Sequence, residues 1–319
     1  MTLFARDQSE MSAAELKGLF AQQRAAYLRC PFPGLDQRRA DLRTLESILT
    51  ENVDAICDAV NQDFGNRSKE ETMLLEIFVS VDTVRHARRN IGRWMKSRRR
   101  PVSVLFATGS NRLLPQPKGV AGIVVPWNYP VFLLISPLVS ALAAGNRCMV
   151  KMAAHSPRLS ALMHLLFERH FSRDKVAVCR GAAKRDFSSL PFDHLLFTGS
   201  SSAGRQVMRT AADTLTPVTL ELGGKSPVII ADDFPIEKAA SRIMYAKLVN
   251  AGQTCLAPDY VITPEPMRER FVAAAKNAVS KLYPDIASAD YTSIISDAAY
   301  ARLRATLDDA RRRGARIEP

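Results

Sequence analysis

The stretch "VAGIVVPWNYPVFLLISPLVSALAAGNRCMVK" runs from Val120 to Lys151. No charged residue occurs from Gly119 to Asn146, a length that would span a bilayer as one helix. Pro126, Pro130 and Pro137 interrupt it, and the Pro-Trp-Asn-Tyr-Pro run has turn chemistry. The stretch therefore reads as a buried strand, a turn, a buried helix and a second strand that ends at Lys151. No membrane span is expected.

The same alternation continues downstream. A helix is expected over about Ser156–His170, and "KVAVC" and "HLLFTG" are further short apolar strands. "AGRQVMRTAADT" is helical, and "VTLELGG" and "PVIIAD" are strands again. A helix follows from about Ile236 to Asn250, then a strand near "DYVITP" and helices near Met267–Leu282 and Asp297–Arg313. Apolar strands alternating with helices predict an α/β fold, a doubly wound parallel sheet covered on both faces.

Upstream the chain is helical. Ser12 and Glu15 fit a capping box, followed by Leu16, Leu19, Phe20 and Tyr27 on one face. Leu42, Leu45 and Ile48 mark a second helix, and about Glu70–Met95 a third. "SVLFATGSNRLLPQP" suggests two strands around a Gly-Ser turn. The expected division is an N-terminal helical layer plus dinucleotide-binding domain over 1–220 and a partial catalytic domain over 221–319. The end, "ARRRGARIEP", reads as a helix, a glycine cap and the first residues of a strand, as though a domain were cut there.

The 319 residues carry a net charge of +12, from 44 basic and 32 acidic side chains. Much of the excess lies in "RHARRNIGRWMKSRRRP", Arg85 to Pro101, which is either a solvated helix face and turn or a nucleic-acid or membrane-surface patch. No nucleic-acid module motif accompanies it, so no nucleic-acid partner is expected. Cys30, Cys57, Cys148, Cys179 and Cys255 make no CxxC pair and no metal-type spacing, and their odd number suits free thiols in a reducing, cytoplasmic setting. The N-terminus lacks the layout of a signal peptide.

Several residues have two readings. Gly199, Ser200 and Gly204 lie between a strand and a helix, either as a phosphate cradle or as a plain βα turn. Lys151 ends a strand where ligands of open sheets gather, or is a solvated end. Glu221 is either a buried carboxylate tuned as a general base or an edge-strand glutamate facing water. The Asn128 side chain either donates to an oxyanion or closes an Asx-turn. Cys255, in "NAGQTCLAP", is by default a buried small hydrophobe. His194 reads as packed beside its strand.

Together, "PWNYP", "GNRCMVK", "FTGSSSAG", "LELGGKSP" and "GQTC" occur in the order that resembles the aldehyde dehydrogenase superfamily. "DFGNRSKEE", "RRRPVSVLF" and "LPFDHLLFTGS" resemble its coniferyl aldehyde dehydrogenase branch. The resemblance implies a Rossmann-like cofactor domain and an oligomerisation-type hairpin at about 101–118. It implies oxidation of an aldehyde, such as an aromatic one, to the acid, with NAD or NADP and no metal. Cys255 would be the nucleophile, Asn128 the oxyanion-hole amide and Glu221 the general base. Lys151 would bond the adenosine ribose, Gly199, Ser200 and Gly204 would lie beside the pyrophosphate, and Trp127 and Pro126 would line the cofactor side. Partners would be a small-molecule aldehyde and, for full-length relatives, a second subunit.

The resemblance departs in two places. The position where the family carries a ribose-binding carboxylate is Ala154, which leaves NADP open beside NAD. Family chains continue past Pro319 into a segment whose glutamate holds the nicotinamide ribose, so this chain is expected to be poorly active or inactive. The alternatives are an impaired remnant that only binds dinucleotide or associates with other chains, and a basic nucleic-acid-binding protein.

Overall fold

The structure, a computed structural model, describes residues 10–318. It divides into two units. The first holds the described residues up to Ile56 and Met73–Leu222; the second holds Cys57–Thr72 and the described residues from Gly223 onward.

The first unit begins with α1, Ala13–Arg29, closed at its start by the expected capping box: Ser12 Oγ accepts the Glu15 N–H, and the Glu15 carboxylate accepts the Ser12 N–H. Next comes α2, Leu35–Glu51, with Leu42, Leu45 and Ile48 fully buried. The expected third helix is one helical run broken in character. A π-helical segment, Met73–Phe78, leads into α5, Val79–Trp94; α3, Val53–Phe64, and α4, Lys69–Thr72, precede it in the chain, with most of α3 and all of α4 falling in the second unit.

The hairpin differs from expectation. Its strands are β1, Arg98–Arg100, and β2, Asn111–Leu113, paired antiparallel. Val104–Phe106, expected as strand, is a 3₁₀ turn at the tip. Pro101 supplies no N–H for a longer ladder, which moves the pairing back onto the arginines. Val104, Leu105 and Phe106 are left exposed.

The sheet that follows is fully parallel: β3 Val120–Val124, β4 Arg147–Lys151, β5 Val176–Cys179, β6 His194–Gly199 and β7 Val218–Leu222, in spatial order β5-β4-β3-β6-β7. The intervening helices are α6 Phe132–Ala144, α7 Pro157–His170, the short α8 Lys184–Ser188 and α9 Ser201–Ala212. This is the doubly wound arrangement that the alternating pattern predicts. The first strand is central and the order reverses between β3 and β6.

Period-2 alternation explains why both faces are covered. Val120, Val124, Met149, Ala177 and Cys179 pack with Leu16 and Leu19 of α1 and Val207 of α9. The alternate residues Ile123, Cys148, Val150, Val176 and Val178 are buried too. Helix α6 is apolar all round, with Leu134, Ile135, Leu138, Val139 and Leu142 buried; that burial holds it together across Pro137. No described helix is long and apolar enough to cross a membrane.

The second unit pairs β8, Ser226–Ile229, in parallel with β9, Pro258–Ile262. Helices α10, Ile236–Leu248, and α11, Arg268–Leu282, cover them, Ile236, Ala239, Ile243 and Phe271 packing in one cluster with Ile230. α12 is Asp297–Arg312. Gly314 caps it at φ 81°, as the sequence suggests, but no strand begins among the described residues beyond it. Arg316 there pairs instead with Glu269.

Candidate functional site

In a parallel sheet every strand delivers its carboxyl end to the same edge. The turn after β3 (Pro126–Pro130), Lys151 at the end of β4 and Gly199–Ser200 at the end of β6 therefore share one rim. The turns after β3 and β6 flank the reversal of strand order, where α/β sheets open a crevice.

Each turn is built by local chemistry. Ser200 caps α9, its Oγ accepting the Ala203 N–H, so the strand passes directly into a helix N-terminus. Gly204 is buried against β7; a Cβ there would lie 2.9 Å from Leu222 Cδ2. Pro126 is buried and Trp127 and Asn128 are half-buried. Behind that turn, the Glu76 carboxylate, wholly buried, accepts the N–H groups of Val131 (2.6 Å) and Phe132 (3.1 Å) at the start of α6. A carboxylate at a helix N-terminus satisfies free donors and opposes the positive end of the dipole.

Lys151 is half-buried, and its pKa is lowered by that burial and then by the charge of Lys184. Lys184 lies over the Phe197 ring at 5.2 Å, its pKa also lowered by burial. Two lysines close enough for their charges to interact, on the rim that also carries the small-residue turn into α9, suit an anionic ligand. The residues present therefore fit a dinucleotide at this rim. His194 is held as expected beside its strand: Nε2 meets Thr219 Oγ1 at 2.9 Å and Nδ1 meets Lys118 Nζ at 3.4 Å.

Of the two readings of Glu221, the structure matches the edge-strand glutamate facing water: it lies on β7, the sheet's edge strand, and is exposed. It is opposite Thr198 in the ladder and so close to the same carboxyl-end rim.

Cys255 belongs to the second unit. Cys57, Cys148 and Cys179 are buried, and burial pushes the thiols of Cys148 and Cys179 up to about 12, leaving them unreactive. Cys255 is exposed and occupies a turn that the Ala257 N–H closes onto the Thr254 carbonyl at 3.1 Å. The default of a buried small hydrophobe fails here. Gly224 runs alongside: a Cβ on it would lie 3.2 Å from the Cys255 carbonyl oxygen.

α10 stops at Leu248, short of the expected end. Asn250, Ala251 and Gly252 follow at φ 53°, 50° and 74°, three left-handed residues in a row. The Asn250 N–H donates to the Glu71 carboxylate at 3.2 and 3.3 Å, and Gln253 Nε2 donates to the Asn250 carbonyl at 3.1 Å.

Glu71, Glu76 and Lys184 escape a motif-based reading. Glu76 did carry a signal. It sits in "MLLEIF", a carboxylate inside an apolar helical run, which is costly unless it is partnered. Among the described residues no cluster could hold a metal ion.

The family model described as "Aldehyde dehydrogenase family" matches residues 7–319. A "probable coniferyl aldehyde dehydrogenase" of Pseudomonas aeruginosa is 48% identical over 98% of this chain and 66% of its own length. A "coniferyl aldehyde dehydrogenase" of a Pseudomonas species is 40% identical over 99% of this chain and 66% of its own. The chain thus spans just under two-thirds of the length of these relatives. A solved Mycobacterium tuberculosis aldehyde dehydrogenase complexed with NAD+ is similar with a TM-score of 0.86 and 27% identity, covering 97% of this chain and 65% of that one.

Proposed function

The chain belongs to the aldehyde dehydrogenase family, and from that premise we propose that its residues serve the NAD(P)-dependent oxidation of an aldehyde to a carboxylic acid. The observation that carries the reading is the Cys255 thiol, exposed on a hydrogen-bonded turn in a chain whose other motif residues gather at a sheet's carboxyl edge.

The chemistry assigned to each residue follows from its functional group. The Cys255 thiolate adds to the aldehyde carbon, giving a thiohemiacetal whose oxygen carries the developing charge. The Asn128 amide and the Cys255 backbone N–H donate to that oxygen. Bound NAD or NADP would supply the hydride acceptor that turns the adduct into a thioester. Water then attacks the thioester carbon, Glu221 takes its proton, and the thiolate leaves. Lys151 and the Gly199–Gly204 turn would hold the dinucleotide, with Trp127 and Pro126 along its side.

Aromatic, coniferyl-type aldehydes are the favoured substrate class, on the strength of the two Pseudomonas relatives. Either dinucleotide suits the rim: Ala154 presents no carboxylate against a 2′-phosphate, and Lys184 adds a cation near Lys151. The exposed tip Val104–Phe106 suits self-association through the hairpin.

The test is reduced-dinucleotide formation from coniferyl aldehyde with NAD or NADP. On this reading wild type forms it, at a low rate in keeping with the expected impairment, and Cys255→Ala does not; equal non-zero rates in both would overturn the nucleophile. A second reading, dinucleotide binding without turnover, is favoured by a crevice built wholly from the first unit. It predicts that both proteins bind NAD(H) in calorimetry and neither turns over.

A further inference from the structure

A nucleophile works only if its turn is held in place, and the Cys255 turn follows a backbone that resists holding. Left-handed φ is unfavourable for a residue with a Cβ, which crowds the following carbonyl oxygen. Asn250 and Ala251 both adopt it, in succession, before Gly252. Such a run persists only where its surroundings over-determine it.

The surroundings here converge on one side chain. The Glu71 carboxylate receives the Asn250 N–H on both oxygens, Thr292 Oγ1 at 2.8 Å and the Tyr283 hydroxyl at 3.5 Å. The fully buried Arg67 guanidinium lies 3.9 Å away, over the Phe64 ring. From the other side Gln253 grips the Asn250 carbonyl and ties it to the next segment, donating to the Ser293 carbonyl (3.0 Å) and accepting the Ile295 N–H (3.0 Å). Asn250 is thus clamped at both backbone polar atoms, and the chain leaves the clamp toward Cys255.

We propose that Glu71 is a positioning residue for Cys255, fixing the left-handed Asn250–Gly252 segment from which the thiol is presented. The role rests on the reading of Cys255 as the nucleophile. Glu71 touches no reacting atom. It acts through the Asn250 N–H, and its loss lets the turn relax towards ordinary φ values and moves the sulfur. Burial, and then the Glu71 charge, push the Tyr283 hydroxyl up to about 12, which keeps it a proton donor to the carboxylate.

The test compares the full chain with Glu71→Gln, which keeps size and one acceptor, and with Thr292→Val, which keeps both charges but frees the carboxylate to turn. Hydrogen exchange of the peptide spanning Asn250–Ala257 is expected to quicken about tenfold in Glu71→Gln and less in Thr292→Val, with α11 unchanged. The ratio of Cys255 to Cys30 alkylation by iodoacetamide is expected to shift in the same order, Cys30 being the other exposed cysteine. For aldehyde oxidation, kcat falls about tenfold and KM stays nearly constant, since misplacing a reacting group by about an ångström costs rate rather than binding. Unchanged exchange and an unchanged alkylation ratio in both variants would overturn the role. Wild-type turnover by Cys255→Ala would instead overturn the nucleophile, whatever the exchange data show about Glu71.

Discussion

Glu76 accepts the Val131 backbone N–H at 2.6 Å, so a carboxylate from a π-helical segment caps the helix that follows the Asn128 turn. π-helical turns are rare and concentrate at functional positions. This one brings an acid to a helix start that has no side-chain cap of its own at Val131.

Replacing Glu76 with Ala leaves the Val131 and Phe132 donors buried without their acceptor. A loss of about 2–4 kcal/mol is expected in urea unfolding. Glu76→Gln keeps one acceptor and is expected to lose about half as much.

Gly204 governs how closely α9 approaches β7. Gly204→Val drives a side chain into Leu222 and is expected to cost about 1–3 kcal/mol of stability. By tilting the helix N-terminus away from the rim it should also weaken NAD binding about tenfold in calorimetry, a shift of roughly 1.4 kcal/mol. Intact affinity would show that the Gly199–Gly204 turn is not a dinucleotide contact.

Lys151 opposes folding. Its folded-state pKa is lowered, so the unfolded chain binds the extra proton, and stability rises with pH between the folded value and the ordinary lysine value. Below that window the full penalty applies. Lys151→Met is therefore expected to be more stable than wild type at neutral pH, with the advantage shrinking as pH climbs through the window. The same variant should bind dinucleotide more weakly. Parallel urea midpoints across pH, with NAD titrations, check both halves.

The hairpin tip carries Val104 and Leu105 at 90% and 88% exposure beside Arg98–Arg100. If it mediates self-association, Leu105→Asp shifts sedimentation towards monomer while leaving the urea midpoint unchanged. Identical sedimentation of wild type and variant would remove the hairpin from that role.

The fold was legible because hydrophobic period and turn residues agree along most of the chain. The uncharged run from Gly119 to Asn146, with its Pro-Trp-Asn-Tyr-Pro turn, could hardly be anything but strand, turn and helix. Legibility fails where long-range partners decide. Val104–Phe106 has strand composition, yet Pro101 and the Arg98–Arg100 pairing turn it into a loop tip. The helix expected to reach Asn250 stops at Leu248 because Glu71, remote in sequence, claims the Asn250 N–H. The site residues stood out through motif order, but their environments did not. Glu221 is exposed on an edge strand; of the acids that hold the turns, Glu76 shows only a carboxylate among apolar neighbours, and Glu71, in a polar Lys-Glu-Glu-Thr run, shows no signature at all.

The strand order has a consequence for biogenesis. β3 lies at the centre of the sheet, but its β6 neighbour leaves the ribosome only after two further strand–helix passes. Until then the nascent chain presents one flank of β3 as a bare row of amide and carbonyl groups, open to pairing with any other emerging polypeptide. Chaperone capture during synthesis should therefore be strongest before Gly199 has emerged from the ribosome and decline once β6 closes that flank.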